Sequence, residues 1–303
     1  MPLDPSRAGS IVYAPDTMSG PFYLGVDLGG TQLRMAAVNS EGQLVSDLLS
    51  VPTGIDLGPD DLERHLGILL GRIRSVMGDA VTALGFGTAG VIQPGPLTQS
   101  DNLPRLNGVD LDPLVRRAFS CPVRIENDAR CFALAEARFG GGRGATSLYG
   151  ITLGTGVGSG IVIDGRLHRG ATSEAGEVWR IPLRGAPLER ALSGAGVVEA
   201  YRTAGGVGPD GIDAADVAQR ARGGDAAARA AWISFGGDLA FLCECAVSLI
   251  DPERIVVGGS LSKARDLFEP ELRERLGDRA ACLTWAELGP AAGVIGAAAL
   301  NIP

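Results

Sequence analysis

Apolar residues along the chain fall into short runs that end at glycine-rich turns. The first stretch, "FYLGVDLGGTQLRMAAVNSEGQLVSDLLSVP", is broken by Gly-Gly and by Ser-Glu-Gly, which predicts consecutive antiparallel strands. "VTALGFGTAGVI" predicts a further buried strand. Between these stretches, a helix that ends at Gly78 is predicted by apolar residues at helical spacing, namely Leu62, Leu66, Leu69, Ile73 and Val76.

The second half of the chain repeats this order. "SLYGITLGTGVGSGIVIDGRL" again reads strand, glycine turn, strand and Asp-Gly turn. Helical patterns follow over residues 187–202, 214–222 and 226–250, then "RIVVGGSLS" predicts a strand with its turn and "AAGVIGAAALN" a closing helix. The repeat indicates an internal duplication with a cleft between the halves, and the boundary lies near "CPVRIENDAR", where a short strand should lead into a helix.

Composition limits the classes of partner. The 303 residues suffice for two modest domains, and the net charge of −8 argues against a nucleic-acid partner, which needs a basic surface. No segment is long and apolar enough to cross a bilayer, so we expect no membrane association. Residues 1–20 lack the pattern of a secretory signal and are interpreted as a flexible leader of a cytoplasmic protein.

The five cysteines do not indicate a disulfide framework or a metal site. Their odd number in a long chain favours a reducing compartment. Cys243 and Cys245 are close in sequence, but no second pair accompanies them, and neither His65 nor His168 is near. Because structural zinc needs four ligands, we interpret both cysteines as small buried residues on a helix.

Two familiar phosphate-binding motifs are excluded. "GFGTAG" matches the dinucleotide pattern G-x-G-x-x-G, but the next residues, "VIQPGPL", contain two prolines and cannot form the helix that this motif must open. A P-loop needs Gly-Lys-Ser/Thr, and the only lysine of the chain is Lys263.

"VDLGGTQLR" predicts a different phosphate-binding turn. Gly29 and Gly30 would expose backbone N–H groups to an anion, and Thr31 adds a hydroxyl. Asp27 would repel phosphate directly, so its useful role is to hold Mg²⁺ or its water ligands. Arg34 could supply a cation or point elsewhere. The alternative is a plain hairpin with an aspartate that caps its turn.

"LGTGVGSG" is the second such turn, with Gly154, Thr155 and Gly156 at its centre. Two bare turns on opposite halves of a duplicated chain can close on one polyphosphate from both sides. Gly258 and Gly259 directly follow the strand "RIVV" and would let a nucleotide base or ribose approach closely. An ordinary turn between strand and helix is the alternative for this last pair.

Several carboxylates and amides lie on glycine-rich or proline-bounded turns. Asn127 and Asp128 fall where a strand ends and an Ala-rich helix starts, a position at which both residue types also serve as helix caps. Glu177 follows a glycine, Glu189 lies near a helix start, and Asn102 lies on the loop "SDNLP". This set suits a ligand covered with hydroxyl groups, since each side chain can form directional hydrogen bonds.

Taken together, these motifs resemble those of ROK-family sugar kinases (repressors, open reading frames and kinases), close to bacterial glucokinases. The resemblance covers the chain from about Tyr23 to Leu300 and rests on the order of "VDLGGTQLR", "SDNLP", "ENDAR", "LGTGVGSG", "AGE", "LERALSGAGV" and "DPERIVVGGS". It implies an α/β fold of the duplicated actin-like, ribonuclease H-like ATPase type, with two lobes around the cleft. We expect a small domain of residues 21–124 plus 290–303 and a large domain of residues 125–289.

The resemblance also implies an activity and residue roles. By likeness, the phosphate motifs match Asp27, Gly30 and Thr31 and then Gly154, Thr155 and Gly156; the sugar-binding residues match Asn127, Asp128, Glu177 and Glu189. The implied reaction is phosphorylation of a hexose, most simply at its 6-hydroxyl, by ATP and Mg²⁺, with Asp128 as general base. The likeness further implies a homodimer and a final helix that returns to the small domain.

One segment departs from the family pattern. ROK kinases usually read Gly-Glu-x-Gly-His followed by a Cys-rich zinc segment, whereas "GEVWRIPLRGAPLER" has Trp179 and Arg180 at the Gly and His positions and no cysteine. We therefore expect no zinc site and a loop ordered in another way, for example by packing of Trp179. Loss of the histidine removes a sugar contact, so either the substrate differs from glucose, or affinity is lower, or phosphorylation is lost.

Three alternatives to a glucose kinase remain open. The chain could phosphorylate an N-acetylated amino sugar or another hexose. A sugar-responsive repressor of the same family would need a helix-turn-helix domain ahead of the first strand, where residues 1–20 include three prolines. A non-catalytic sugar sensor is favoured only by Trp179 and Arg180, and the presence of Asp27, Asp128 and both glycine turns speaks against it.

Overall fold

The computed structural model describes residues 20–78, 80–90, 96–98 and 100–303. The leader expected over residues 1–20 lies outside the described residues except for Gly20. By its internal contacts the chain divides into two units, Met1–Cys131 with Ala291–Pro303, and Phe132–Pro290. Each unit is built on its own five-stranded sheet.

The first sheet joins an antiparallel hairpin to parallel strands. Its order is β3-β2-β1-β4-β5, with β1–β2–β3 antiparallel and β4 and β5 parallel to β1. The strands are β1 (Phe22–Leu28), β2 (Gln32–Val38), β3 (Leu49–Pro52), β4 (Val81–Thr88) and β5 (Val123–Asn127). The predicted consecutive antiparallel strands are therefore confirmed. Helices α1 (Pro59–Met77) and α2 (Leu111–Ala118) pack their apolar sides into the core of this unit.

Helix α1 follows from local signals at both ends. Pro59 occupies the first helical turn, and Gly78 ends the helix with φ +61°, a conformation that favours glycine. Four of the five predicted core positions are buried, but Val76 is 63% exposed, so its assignment to the buried stripe was wrong. Met77 is buried instead, since it lies one helical turn, four residues, after the buried Ile73.

The second sheet repeats the order of the first. It runs β12-β11-β6-β7-β8, again with an antiparallel β6–β7–β8 meander and parallel β11 and β12. The strands are β6 (Ser147–Leu153), β7 (Val157–Ile163), β8 (Arg166–Leu167), β11 (Arg254–Gly258) and β12 (Leu283–Trp285), and a separate hairpin is formed by β9 (Pro182–Leu183) and β10 (Ala186–Pro187). The two sheets confirm the predicted duplication.

The remaining helices are α3 (Asp128–Phe139), α4 (Gly194–Thr203), α5 (Ala214–Arg222), α6 (Ala226–Ile250), α7 (Arg265–Leu276) and α8 (Ala292–Ala299). The predictions for residues 214–222 and 226–250 are confirmed, but a continuous helix over residues 187–202 was wrong. Leu188–Arg190 form a short 3₁₀ turn, and α4 begins only after Ser193. The Ser193 hydroxyl accepts a hydrogen bond from the Gly196 N–H at 3.1 Å and so caps the new helix.

Helix α6 is long and apolar enough to cross a bilayer, so the expectation that no segment reaches these limits was wrong. Half of its most apolar stretch is buried inside the second unit. Trp232 and Phe235 on this helix pack against Phe268 with ring centroids 5.8 and 5.2 Å apart. This burial is typical of a core helix, and the apolar composition follows from that position.

Glycines allow a helix to lie directly on a sheet in both units. A Cβ atom at Gly25 or Gly85 would overlap backbone atoms of α8, which lies against β1 and β4 of the first sheet. A Cβ atom at Gly150 of β6 would come within 2.7 Å of the Ala133 Cβ of α3 in the second unit. These three glycines therefore serve helix–sheet packing.

The hydrogen bonds of β5 fix the end of the first unit. Strand β5 pairs along its length with β4, from Val123 beside Leu84 to Asn127 beside Thr88. The sequence placed the boundary between Arg124 and Ile125, inside this strand, whereas the contacts divide the chain between Cys131 and Phe132. Asn127 and Asp128 consequently belong to the same unit as Asp27.

Candidate active site

The first glycine turn connects β1 to β2. The Gly29 N–H donates to the Gln32 carbonyl at 3.0 Å, which closes the turn. A Cβ atom at Gly30 would come within 2.8 Å of the Asn102 Cβ, so the bare backbone at this position accommodates the loop that carries Asn102. Thr31 is exposed. The structure thus brings Asn102, which the sequence predicted as part of a separate set for a hydroxyl-rich ligand, against the turn of Gly29, Gly30 and Thr31.

Asp27 lies near the end of β1, directly before this turn. Its ladder partner on β2 is Arg34, whose guanidinium lies 3.8 Å from the Asp27 carboxylate and also donates to the Gln32 side chain. A Cβ atom at Gly293, in the first turn of α8, would come within 2.7 Å of Asp27 Oδ2. Burial raises the pKa of Asp27, and the charge of Arg34 partly opposes that effect. Arg34 is therefore directed toward Asp27.

Asp128 is the first residue of α3 and follows β5 without a loop. Its Oδ1 accepts a hydrogen bond from the Ala129 N–H at 2.8 Å. Burial, reinforced by the negative charge of Asp27, raises the pKa of Asp128 to about 6. The two carboxylates therefore lie close enough to interact, and Asp128 is ionised at neutral pH while holding a proton more readily than an ordinary aspartate.

Asn127 performs the capping role that was the alternative interpretation of this motif. Its Oδ1 accepts from the Arg130 N–H at 3.1 Å, and its Nδ2 donates to the Gly90 carbonyl at 3.0 Å. Behind it, Glu126 and Arg130 form an ion pair at 3.1 Å with only 3% and 1% of their side chains exposed. Glu126 also accepts the Asn127 N–H at 2.9 Å. The start of α3 is thus anchored by buried charges.

The second glycine turn connects β6 to β7. The Gly154 N–H donates to the Gly156 carbonyl at 2.9 Å, and the Gly154 carbonyl accepts from the N–H of Gly194, the first residue of α4. A Cβ atom at Gly156 would overlap the Glu189 carboxylate. Thr155 is exposed. Glycine at position 156 therefore leaves room for the close approach of the Glu189 side chain, a residue that the sequence had placed only near a helix start.

A pocket of about 1030 Å³ adjoins the second turn. Residues that line it include Gly154, Thr155, Arg202, Trp232, Ser260 and Lys263. Gly258 and Gly259, predicted to admit a nucleotide, are not part of this lining. A Cβ atom at Gly258 would come within 2.7 Å of the Phe132 ring, and one at Gly259 would overlap the Leu153 backbone, so both glycines accommodate protein.

Much of this pocket is formed by two helices that no sequence motif marked as part of a site. Arg202 lies on α4, and Ala218 on α5 also contributes to the wall. Both helices fall between β8 and β11, whereas the described residues between the corresponding strands of the first unit, β3 and β4, form only α1. The signal that could have found them is the extra helical segment in the second half of the chain, since an insertion in one copy of a duplicated unit often carries a binding site.

The segment that departs from the family pattern forms a turn around Glu177. The Trp179 Nε1–H donates to Glu177 Oε2 at 3.0 Å, and the Arg180 guanidinium lies 5.0 Å from the centre of the Trp179 ring. Arg180 also pairs with Glu174 at 3.2 Å. The expected packing of Trp179 is confirmed, since its ring is partly buried against the core of the second unit.

Within the ranges that the structure describes, no group of three or more His, Cys, Asp or Glu residues is arranged to hold a metal ion. Cys243 is buried and Cys245 half-buried on α6, and burial raises the pKa of both thiols. The interpretation of the two cysteines as buried helix residues is confirmed for Cys243, whereas Cys245 lies on the helix but is not fully buried.

Comparison with known proteins identifies the family. The chain matches the ROK family over residues 23–302. It is 31% identical over 322 residues to a glucokinase of Streptomyces coelicolor, covering 91% of this chain and 96% of that protein. It is also 31% identical over 310 residues to the N-acetylgalactosamine kinase AgaK of Shewanella, covering 92% and 96%.

A solved structure extends the similarity to the fold. A ROK-family glucokinase from Streptomyces griseus, in complex with glucose and AMPPNP, superposes with a TM-score of 0.78 at 27% identity, covering 92% of this chain and 98% of that one. Together with the duplicated sheets, this similarity confirms the α/β, actin-like ATPase fold. The chain therefore belongs to the ROK family.

Proposed function

We propose that this ROK-family sugar kinase transfers the γ-phosphoryl group of ATP to the 6-hydroxyl of a glucose-like hexose. The observation that carries the proposal is Asp128, a carboxylate beside the first glycine turn whose pKa is raised to about 6. A general base is most effective when its pKa lies near the working pH, because it is then both ionised and able to keep a proton.

In the proposed reaction, Asp128 accepts the proton of the sugar hydroxyl while that oxygen bonds to the γ-phosphorus. The bond between this phosphorus and the β–γ bridging oxygen breaks, and ADP leaves with the electron pair. Because the transition state is loose, most of the rate enhancement comes from alignment and from stabilisation of charge on the phosphate oxygens.

We assign phosphate binding to the two glycine turns. The N–H groups of Gly29 and Gly154 are used inside their own turns. The amides that follow them, at Gly30, Thr31, Thr155 and Gly156, are therefore the ones proposed to donate to phosphate oxygens, and the two threonines add their hydroxyls. The pocket beside Thr155 is the proposed site of the nucleoside.

Asp27 is the residue that we propose for Mg²⁺. Mg²⁺ prefers oxygen ligands, keeps several water molecules and needs only one or two carboxylates. Asp27 supplies such a carboxylate, and its charge already acts on Asp128. When bound, the ion neutralises charge on the phosphates. No zinc is required in this proposal, since Trp179 and Arg180 stand where the family has its glycine and histidine.

The sugar-binding residues are proposed from the family resemblance and supported by their surroundings. Asn102 lies against the first glycine turn, and Glu189 lies against the second. Glu177 is held by Trp179. Asn127 has both polar groups of its side chain engaged with Gly90 and Arg130, so we assign it mainly the placement of Asp128.

We further propose that the kinase is a soluble, cytoplasmic homodimer with no nucleic-acid or membrane partner. The net charge of −8 supports the lack of a nucleic-acid partner. The free thiols of Cys121, Cys243, Cys245 and Cys282 fit a reducing compartment. The dimer follows from the family resemblance and would be measured by sedimentation.

The deciding experiment measures ADP release over a panel of glucose, mannose, N-acetylglucosamine, N-acetylmannosamine, fructose and allose. We expect one hexose to stimulate ADP release in the presence of Mg²⁺, with an equal amount of sugar 6-phosphate identified by NMR. Preference for an N-acetylated sugar would favour the amino-sugar alternative. Folded protein that binds a sugar but releases no ADP with any of them would instead be a sensor.

A further inference from the structure

The turn that carries Glu177 is fixed by contacts on both sides of that residue. On one side, the buried Ser159 hydroxyl of β7 donates to the Gly176 carbonyl at 2.8 Å, and Gly176 has φ +90°, which favours glycine. On the other side, Val178–Arg180 form a 3₁₀ turn that brings the Trp179 indole back to the Glu177 carboxylate. The backbone and the carboxylate of Glu177 are therefore both restrained.

Trp179 suits this role chemically. The indole Nε1–H is a donor without acceptor capacity, which suits it to the Glu177 carboxylate, an acceptor. A glutamate side chain that is free in solution loses rotamer entropy when it binds a ligand. A carboxylate that is already oriented avoids much of that loss.

Arg180 holds the orientation of the indole. Its guanidinium lies over the Trp179 ring at 5.0 Å and is paired with Glu174 at 3.2 Å. Arg180 thus contacts Trp179 on one side and Glu174, three residues before Glu177, on the other. The three side chains of Glu174, Arg180 and Trp179 form a series of contacts that ends at Glu177.

We infer that Trp179 is a positioning residue that orients Glu177 for the sugar, with Arg180 supporting Trp179. The inference rests on the proposed function, in which Glu177 binds the sugar. Under this inference, Trp179 and Arg180, the two residues at which the sequence departs from the family, set the affinity for the sugar. The nucleotide is not involved, so sugar affinity should change separately from ATP affinity.

The chain contains a matched control in Trp285. Its Nε1–H donates to Glu269 at 3.2 Å, and the Arg265 guanidinium lies 5.5 Å from the ring centre. Trp285 therefore has the same two kinds of contact as Trp179, in the same unit, but neither Glu269 nor Arg265 is a proposed site residue. Replacement of each tryptophan by phenylalanine removes the same donor and keeps a ring.

We expect Trp179→Phe to raise the KM for sugar about tenfold, with kcat and the KM for ATP within about twofold of wild type. Trp285→Phe should leave all three constants unchanged. Trp179→His, which keeps a ring N–H, should recover part of the loss. In a Glu177→Ala background the effect of Trp179→Phe should disappear, because the group that it positions is absent.

The outcomes separate the inference from the proposed function. If the wild type phosphorylates a sugar and Trp179→Phe behaves like Trp285→Phe, the positioning role is wrong and the kinase stands. If the wild type phosphorylates no sugar, sugar binding is measured instead by calorimetry without nucleotide. Weaker binding by Trp179→Phe than by the wild type would support the positioning role, and no binding by the wild type would overturn it. Should Trp179→Phe not fold, an unchanged KM for sugar in Arg180→Met would overturn it, and a rise of about threefold would support it.

Discussion

The two glycine turns have the same kind of backbone, but different side chains surround them. Each joins two antiparallel strands, and each closes through the N–H of its first glycine. The first turn follows a half-buried aspartate that interacts with a second aspartate. The second turn has Thr152 at the matching place, two residues before its first glycine, and leads instead to a pocket of about 1030 Å³.

The difference indicates how a duplicated fold acquires two roles. In the first unit, β5 and α8 bring Asp128 and Gly293 beside Asp27, so that buried charge collects there. In the second unit, the inserted α4 and α5 open a pocket with both apolar and polar walls. The turn is common to both units, and the neighbouring elements determine its chemistry. Variants near the first turn should therefore affect the chemical step, and variants near the second should affect binding.

The largest effect is expected for Asp128→Asn. Loss of the proposed base should lower kcat by about three to four orders of magnitude while sugar binding persists. Thr155→Ala, at the second turn, should instead raise the KM for ATP with a smaller change in kcat. Steady-state kinetics and calorimetry with the sugar test this contrast. Near-normal turnover by Asp128→Asn would show that the first turn does not differ from the second by a role in the chemical step.

The same substitution carries a stability prediction with a defined sign. The folded-state pKa of Asp128 is raised to about 6, so folding disfavours its ionised form. The resulting cost is absent at low pH and grows as pH rises through the folded-state value. Asp128→Asn should therefore be more stable than the wild type at about pH 8, by on the order of 2 kcal/mol, and the gain should vanish near about pH 4.

The next largest effect concerns the ion pairs near the two turns. Arg130 and Glu126, behind the first turn, are 1% and 3% exposed, whereas Arg190 and Glu199, near the second, are 65% and 50% exposed. Arg130→Met leaves a buried carboxylate without this cation and should cost about 3 to 5 kcal/mol of unfolding free energy. Arg190→Met should cost less than about 1 kcal/mol. Urea unfolding of both variants measures the difference, and equal costs would contradict it.

Much of this fold and part of the site follow from local patterns. Alternating apolar residues and glycine turns predicted both hairpins, and the strand–helix junction predicted where Asp128 lies. Contacts between distant segments were not predictable, because no local pattern specifies them. The approach of the Glu189 side chain to Gly156 and the hydrogen bond from Trp179 to Glu177 are examples. Each depends on the path that a loop takes after a strand. The exposure of Val76 depended on which residue of the last helical turn meets the core.

A smaller effect separates two glycines of the second turn. A Cβ atom at Gly156 would overlap the Glu189 carboxylate, whereas one at Gly154 would lie 3.4 Å from Ser260 Oγ, an ordinary contact. Gly156→Ala must displace the flexible Glu189 side chain, so the KM for sugar should rise about tenfold with little loss of stability. Gly154→Ala should change that constant less than about threefold. The reverse order would show that Glu189 does not act on the sugar.

The smallest effect tests whether Asp27 and Asp128 interact. The proposed base must be ionised, so kcat/KM should decrease as the pH falls below about 6. This acid limb reports the raised pKa of Asp128 in the free enzyme. Asp27→Asn removes a negative charge that disfavours ionisation of Asp128, and this limb should move to lower pH by up to about one unit, whatever the loss in absolute rate. Asp56→Asn, at an exposed carboxyl of the same unit, should leave the limb unmoved. The measurement is kcat/KM for the ATP–Mg²⁺ complex across the acid range without excess free Mg²⁺, so that the limb reports the metal-free enzyme. A limb that stays in place in Asp27→Asn would mean that burial alone sets the pKa of Asp128. The first turn would then differ from the second by Asp128 alone, and not by a pair of carboxylates that act on each other.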